Sequence, residues 1–213
     1  MKTRIRMLVT AAAAATIAGS TLVGAAPAQA ADINVTIPIT GTSTLKKQNA
    51  TLTLPAGAKM TGVLSGDTVT GSMTIPTITA KLRIFGVPTL GDTTSTVKIV
   101  ETKPAVTKLE VDGSVKVTST FRLELPKVTS DVLPSVNVVR PTCRTKEISA
   151  VLTAAKFDLF TPFALSGTFT IPAFEKCGYS LFGLPSGRDL LMTSLLSGPD
   201  NRMDLMAGPV QIG

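Results

Sequence analysis

The sequence predicts an all-β protein, an antiparallel β-sandwich or barrel with one short helix near its C-terminus. Two features carry this. Apolar residues recur at every second position in many short runs, and glycine or proline interrupts those runs about every eight to twelve residues. In a strand successive side chains face opposite sides, so period two marks one buried and one solvated face. Sustained helical spacing is confined to one short stretch near residue 190.

The first thirty residues are set apart. Lys2, Arg4 and Arg6 open the chain, an apolar stretch runs from Met7 to Val23, and Ala28-Gln29-Ala30 follows, with Asp32 the first acidic residue. A basic start, a short apolar middle and a small-x-small end describe a secretory signal peptide. Residues 1–30 are therefore expected to be removed between Ala30 and Ala31. The apolar stretch, broken by Gly, Thr and Ser, is too short for the roughly 20 residues that cross a bilayer, so no transmembrane segment is expected in the mature form. No cysteine stands at the junction for lipid attachment, since Cys143 is the first in the chain. The expected location is secreted, either extracellular or associated with the cell envelope.

Strand signals begin directly afterwards. Ile33-Asn34-Val35-Thr36-Ile37, Thr51-Leu52-Thr53-Leu54, Val115-Lys116-Val117-Thr118 and Phe121-Arg122-Leu123-Glu124-Leu125 all alternate. Several runs reach a proline, at Ile37-Pro38, Leu54-Pro55, Ile75-Pro76, Leu125-Pro126 and Ile171-Pro172. Proline donates no ladder hydrogen bond, so these positions are expected at strand ends or edges. Around Asp112-Gly113 the chain reads as a hairpin. A loop over Asp112 to Ser114 would set Val111 opposite Val115 and Leu109 opposite Val117, keeping apolar residues on one face, with a bulge at Gly113 as the alternative. From Arg188 to Leu196, Leu191, Met192, Leu195 and Leu196 take helical spacing between Gly187 and Gly198, which predicts a short helix with its leucines in the core.

An internal similarity runs through these elements. Thr70-Gly71-Ser72-Met73-Thr74-Ile75-Pro76-Thr77-Ile78 aligns with Ser166-Gly167-Thr168-Phe169-Thr170-Ile171-Pro172-Ala173-Phe174. Ile84-Phe85-Gly86-Val87-Pro88 aligns with Leu181-Phe182-Gly183-Leu184-Pro185, and Ala58-Lys59-Met60 with Ala155-Lys156-Phe157, at nearly the same offset. A repeat of two β-rich halves, residues 31–126 and 127–213, follows as an expectation. Cys143 and Cys177 both fall in the second half. Export places them in a disulfide-permissive compartment, and a chain with no histidine lacks the partners for a four-coordinate zinc site. One bridge between them is predicted, closing a loop of about 35 residues.

Cys143-Arg144-Thr145, Gly167-Thr168-Phe169-Thr170-Ile171-Pro172, Cys177-Gly178 and Leu195-Leu196-Ser197-Gly198-Pro199-Asp200-Asn201 together resemble a family of uncharacterised secreted actinobacterial proteins. The similarity covers about the last 70 residues, and the alanine-rich leader is in keeping with it. It implies secretion and a structural role for the two cysteines, and brings no activity, substrate or site residue.

Composition excludes several function classes. Removing Lys2, Arg4 and Arg6 lowers the net charge from +7 to +4. With unclustered basic residues, one tyrosine and no tryptophan, no nucleic-acid partner is expected. The absence of histidine removes the usual triads and the commonest general acid–base. No phosphate-binding glycine loop or calcium loop appears, and no cofactor is expected. Ser43-Thr44-Leu45-Lys46 matches the S-x-x-K pattern, in which lysine one helical turn away accepts the serine proton, but its flanks read as a loop between strands. Asn34-Val35-Thr36 and Asn49-Ala50-Thr51 fit the glycosylation pattern and read as ordinary strand and turn residues. The expected function is non-catalytic: an envelope-associated structural or partner-binding module packed without a large apolar cavity. The alternative is a carrier of a lipid or other apolar ligand inside the β structure. A membrane pore lacks the aromatic girdles it needs.

Overall fold

The structure, a computed structural model, describes residues 32–82, 92–179 and 184–213. The junction between Ala30 and Ala31 lies outside the described residues, as does the Phe85-Gly86 repeat landmark with most of its partner. Thirteen strands are described: β1 (Ile33–Leu45), β2 (Ala50–Thr53), β3 (Lys59–Ser65), β4 (Thr68–Thr74), β5 (Ile78–Leu82), β6 (Thr93–Leu109), β7 (Val115–Ser130), β8 (Arg144–Thr145), β9 (Ile148–Ala154), β10 (Phe163–Ile171), β11 (Phe174–Glu175), β12 (Gly198–Ala207) and β13 (Gln211–Ile212). One helix, α1 (Gly187–Leu196), and a 3₁₀ turn at Lys46–Gln48 complete them.

Eight strands bond in a ring, β1–β3–β4–β6–β7–β9–β10–β12 and back to β1, and every pairing is antiparallel. The fold is all-β, with the ring-like bonding of a barrel. Closure leaves these strands without an open edge. The alternation seen in the sequence is what allows it. Val35, Ile37 and Ile39 of β1, Val115 and Val117 of β7, Leu152 and Ala154 of β9, and Met203, Leu205 and Ala207 of β12 are buried, while the residues between them are not. One contiguous apolar core results. At Gly62 and Gly71, which face each other across β3 and β4, a Cβ would run into the partner backbone at Thr70 or Thr61, so only glycine lets these strands approach as they do.

The prolines divide into two groups. Pro55, Pro76 and Pro172 lie just beyond β2, β4 and β10, at strand ends as predicted. Pro38 and Pro126 instead lie inside β1 and β7, which corrects the expectation of strand ends there. Both occupy breaks in a ladder. Thr96 pairs with Lys127 and Lys98 with Glu124, so Val97 faces both Leu125 and Pro126 in a bulge that leaves a residue without a ladder partner. Pro38 stands where β1 changes neighbours, from β3 to β2 on one side and from β13 to β12 on the other. Bulges and handovers let a strand of 16 or 13 residues tolerate a missing donor.

The β6–β7 hairpin has its loop one residue earlier than predicted. Leu109 pairs with Val115, Glu110 exchanges hydrogen bonds with Ser114 and Gly113, and the loop is Val111–Gly113. Gly113 has φ of +84°, the left-handed position of a three-residue hairpin with a glycine bulge. The predicted bulge at Gly113 is present, but the Val111–Val115 pairing is replaced and Val111 is fully exposed. Turn geometry decided the register against one extra apolar pair.

The helix begins one residue before its predicted start. Ser186 caps it, accepting from the Asp189 N–H at 3.1 Å, while the Asp189 carboxylate accepts from the Ser186 N–H at 2.7 Å. This reciprocal pair is a capping box. Met192 and Leu196 are buried; Leu191 is exposed, contrary to the expectation that all the leucines face the core.

Two successive series of strands pair alike. In the first, β1 bonds β2 and β3, β3 bonds β4, and β4 bonds β6; in the second, β7 bonds β8 and β9, β9 bonds β10, and β10 bonds β12. Ile75-Pro76 and Ile171-Pro172 occupy the same place in each, after β4 and after β10. Ala58-Lys59-Met60 enters β3, whereas Ala155-Lys156-Phe157 follows β9, so that pair of segments is not equivalent. Position 126/127 falls inside β7, and the turn between the series is Glu110–Ser114.

Candidate functional site

At the end of the ring where β1 starts, the β3–β4 and β6–β7 turns, the β9–β10 loop and the β12–β13 connection come together. An apolar cavity of about 470 Å³ opens there. Its walls come from inward positions of the ring: Val35 and Ile37 of β1, Val69 of β4, Thr107 of β6, Val115 of β7 and Phe163 of β10. Small and β-branched residues leave the space. An eight-stranded barrel is just wide enough for its side chains to fill, so an end lined by valine and threonine stays partly hollow. This overturns the expectation of a protein without a large apolar cavity.

The mouth is built by loops. Phe157, Leu159 and Phe160 of the β9–β10 loop line it together with Leu64, Leu109 and Val210. The loop is tied down on both sides, by the Phe157 N–H to the Gly113 carbonyl and by the Val210 N–H to the Leu159 carbonyl, both at 3.0 Å. The Phe157 and Phe163 rings meet edge to face with centroids 5.3 Å apart. Phe160 nevertheless remains 83% exposed. Inside, Thr107 is the only polar wall residue among the described ones, and its hydroxyl lies 3.9 Å from the Met60 Sδ.

Two carboxylates stand at the mouth, Asp67 from the β3–β4 turn and Asp158 from the β9–β10 loop. Asp67 accepts from the Thr68 hydroxyl at 2.8 Å. The Phe160 N–H, at 2.8 Å, and then the Thr161 hydroxyl hold Asp158 below the usual carboxylate range, so it is ionised at neutral pH. Among the described residues no lysine or arginine lines the cavity.

The disulfide and α1 stand toward the opposite end. Cys143 and Cys177 form a disulfide, and both are fully buried. Asp189 also accepts from the Cys177 N–H, at 2.6 Å, which fixes the start of α1 to the bridge. Asn201, 2% exposed, accepts from the Lys46 N–H and donates to the Gly198 carbonyl. Helix α1 lies at the end remote from the cavity and buries Met192 and Leu196 in the core.

Other sequence candidates do not form sites. Ser43 is buried in β1, while the Lys46 ammonium is exposed and held by Asp200 at 2.6 Å. Ser95 and Lys98 repeat the S-x-x-K spacing inside β6, where Ser95 is buried and Lys98 exposed. Asn34 lies in β1 and Asn49 in the turn before β2, as read. Among the described residues no group of three or more His, Cys, Asp or Glu could hold a metal ion, and no helix is long and apolar enough to cross a membrane. A polar groove of about 400 Å³ includes Glu147 and Asp200, which are already paired with Lys103 and Lys46.

The cavity residues were not singled out in the sequence. One signal was present: three of the eight phenylalanines, Phe157, Phe160 and Phe163, crowd into a short stretch that includes a loop. Aromatic residues concentrated in a loop have to cover something apolar, here the mouth of the ring. Comparison with family models, with curated proteins and with solved structures finds no match to this chain.

Proposed function

We propose that this chain is an exported, non-catalytic carrier that binds an apolar ligand in the open end of its β-ring. The cavity of about 470 Å³ carries the reading: its size falls within the roughly 300–1,000 Å³ of small-molecule sites, and its walls are almost wholly apolar. The sequence placed a structural or partner-binding envelope module first; the cavity reverses that order. Export rests on the leader pattern and on the resemblance to secreted actinobacterial proteins, and the buried disulfide is in keeping with it. Five of the six strands in each series pair alike, β5 and β11 excepted, and this supports an origin by duplication.

Two measurements test this reading. Sequencing of protein exported by its host should find Ala31 at the N-terminus; an intact leader on the exported protein overturns export by cleavage there. For binding, the uncharged dye diphenylhexatriene should bind one-to-one and saturably. Val69→Trp puts the only indole of the chain into the cavity and should weaken dye binding at least tenfold. Val63→Trp, at a surface position of β3 outside the lining, should leave it unchanged. No saturable binding, or equal effects of the two variants, sinks the carrier reading.

A further inference from the structure

We propose that the ligand is a single-chain amphiphile with a non-anionic, hydrogen-bond-donating head, an amine or a hydroxyl, and that Asp67 and Asp158 select it. The inference rests on the cavity's being a ligand site and concerns which head group that site accepts. An apolar chain fills the space between Val35, Val69, Val115 and Phe163, so its polar end lies at the mouth. There the charged residues of the lining are both carboxylates, from opposite loops. Each needs donors. Asp158 has two from its own loop, and Asp67 takes one from Thr68, which leaves acceptor capacity on an exposed carboxylate.

An anionic head at this position meets like charge on two sides, with no compensating cation among the described lining residues. Lys108, Lys116 and Lys156 flank lining residues in sequence, yet none lines the cavity, and the Lys108 ammonium lies 3.9 Å from the Glu110 carboxylate. Both carboxylates are exposed, so this repulsion is strongest at low ionic strength. Discrimination against fatty acids and phosphate monoesters follows from charge, with no change in chain fit. A hydroxyl or ammonium head instead donates to the carboxylates in a charge-assisted bond.

The test uses the purified exported protein loaded with diphenylhexatriene. Dodecylamine, dodecanol and dodecanoate, each below its micelle concentration, are titrated as displacers of equal chain length. The amine and the alcohol should displace the dye at concentrations at least tenfold lower than the carboxylate. In Asp67→Asn/Asp158→Asn, which retains acceptor oxygens for Thr68 and Phe160, the spread among the three should fall to within about threefold. Equal or stronger displacement by dodecanoate from the wild type overturns the proposal, and so does a double variant that keeps the full spread. Dye that binds saturably but is displaced by none of the three also overturns it while leaving the carrier reading intact; failure of the dye itself to bind overturns both.

Discussion

Phe121→Ala should lower the free energy of unfolding by about 3–5 kcal/mol, the cost typical of truncating a fully buried aromatic. Phe121 is 1% exposed, near the middle of β7, with β6 on one side and β9 on the other. Its ring meets Phe169 edge to face at 6.1 Å, and Ile148, also 1% exposed, is its cross-strand neighbour. The surrounding positions belong to hydrogen-bonded strands of a closed ring, which collapse poorly around a void, so the upper part of that range is expected. Single-domain stabilities of about 5–15 kcal/mol make this a large fraction of the total. Urea titration should show the midpoint falling with an unchanged slope. Phe160→Ala is the control: it removes an exposed ring and should move stability by no more than about 0.5 kcal/mol. A loss below about 1 kcal/mol at Phe121 would contradict its placement between the two ladders.

Replacing both Cys143 and Cys177 by alanine should cost about 4 kcal/mol, which follows from the loop entropy released in the unfolded chain. The two are 34 residues apart in sequence, and the closed segment contains β8, β9, β10 and β11. For a domain of this size the melting temperature should fall by about 10 °C. The native contacts argue against a smaller effect. Arg140 donates to the Cys177 carbonyl and Leu125 to the Cys143 carbonyl, while the Cys177 N–H is held by Asp189, so the bridge joins β7, the β7–β8 connection and α1 at one point. Calorimetry of the wild type with and without reductant should reproduce the shift. Thiol titration of the unfolded, unreduced chain should find no free thiol, because both cysteines are in the bridge. Two titrating thiols per chain would sink the prediction. Cys177→Ser alone leaves a thiol at a fully buried position, so dimers linked through Cys143 should appear only once the chain unfolds.

Both predictions concern features that were legible in the sequence to different degrees. The pairing of the cysteines followed from there being two of them and from the leader ahead of them. That Phe121 is inward could be read from Phe121-Arg122-Leu123-Glu124-Leu125, since period two assigns faces without reference to any neighbour. Its importance could not be read there, because it depends on Ile148 and Phe169, from strands 27 and 48 residues away in sequence. The prolines show the same division. A strand end and a bulge both accommodate a missing donor, so Pro38 and Pro126 were read as ends while the ladders around them continue. The hairpin register turned on the left-handed conformation at Gly113, which outweighed the apolar pair that a different loop would have made.

By itself the sequence determined the all-β class, the cysteine pair, the short helix and the alternating faces of β1, β2 and β7, because each rests on local periodicity or on residue chemistry. Closure of the ring through β12 on β1 and β6 on β7, the full lengths of β1, β6 and β7, and the hollow end were decided only by tertiary structure. The physical reason is that a cavity is a difference in volume. Val35, Val69, Thr107 and Val115 are ordinary inward strand residues one at a time, and a space of about 470 Å³ arises only when closure brings them to face one another with nothing large enough between them.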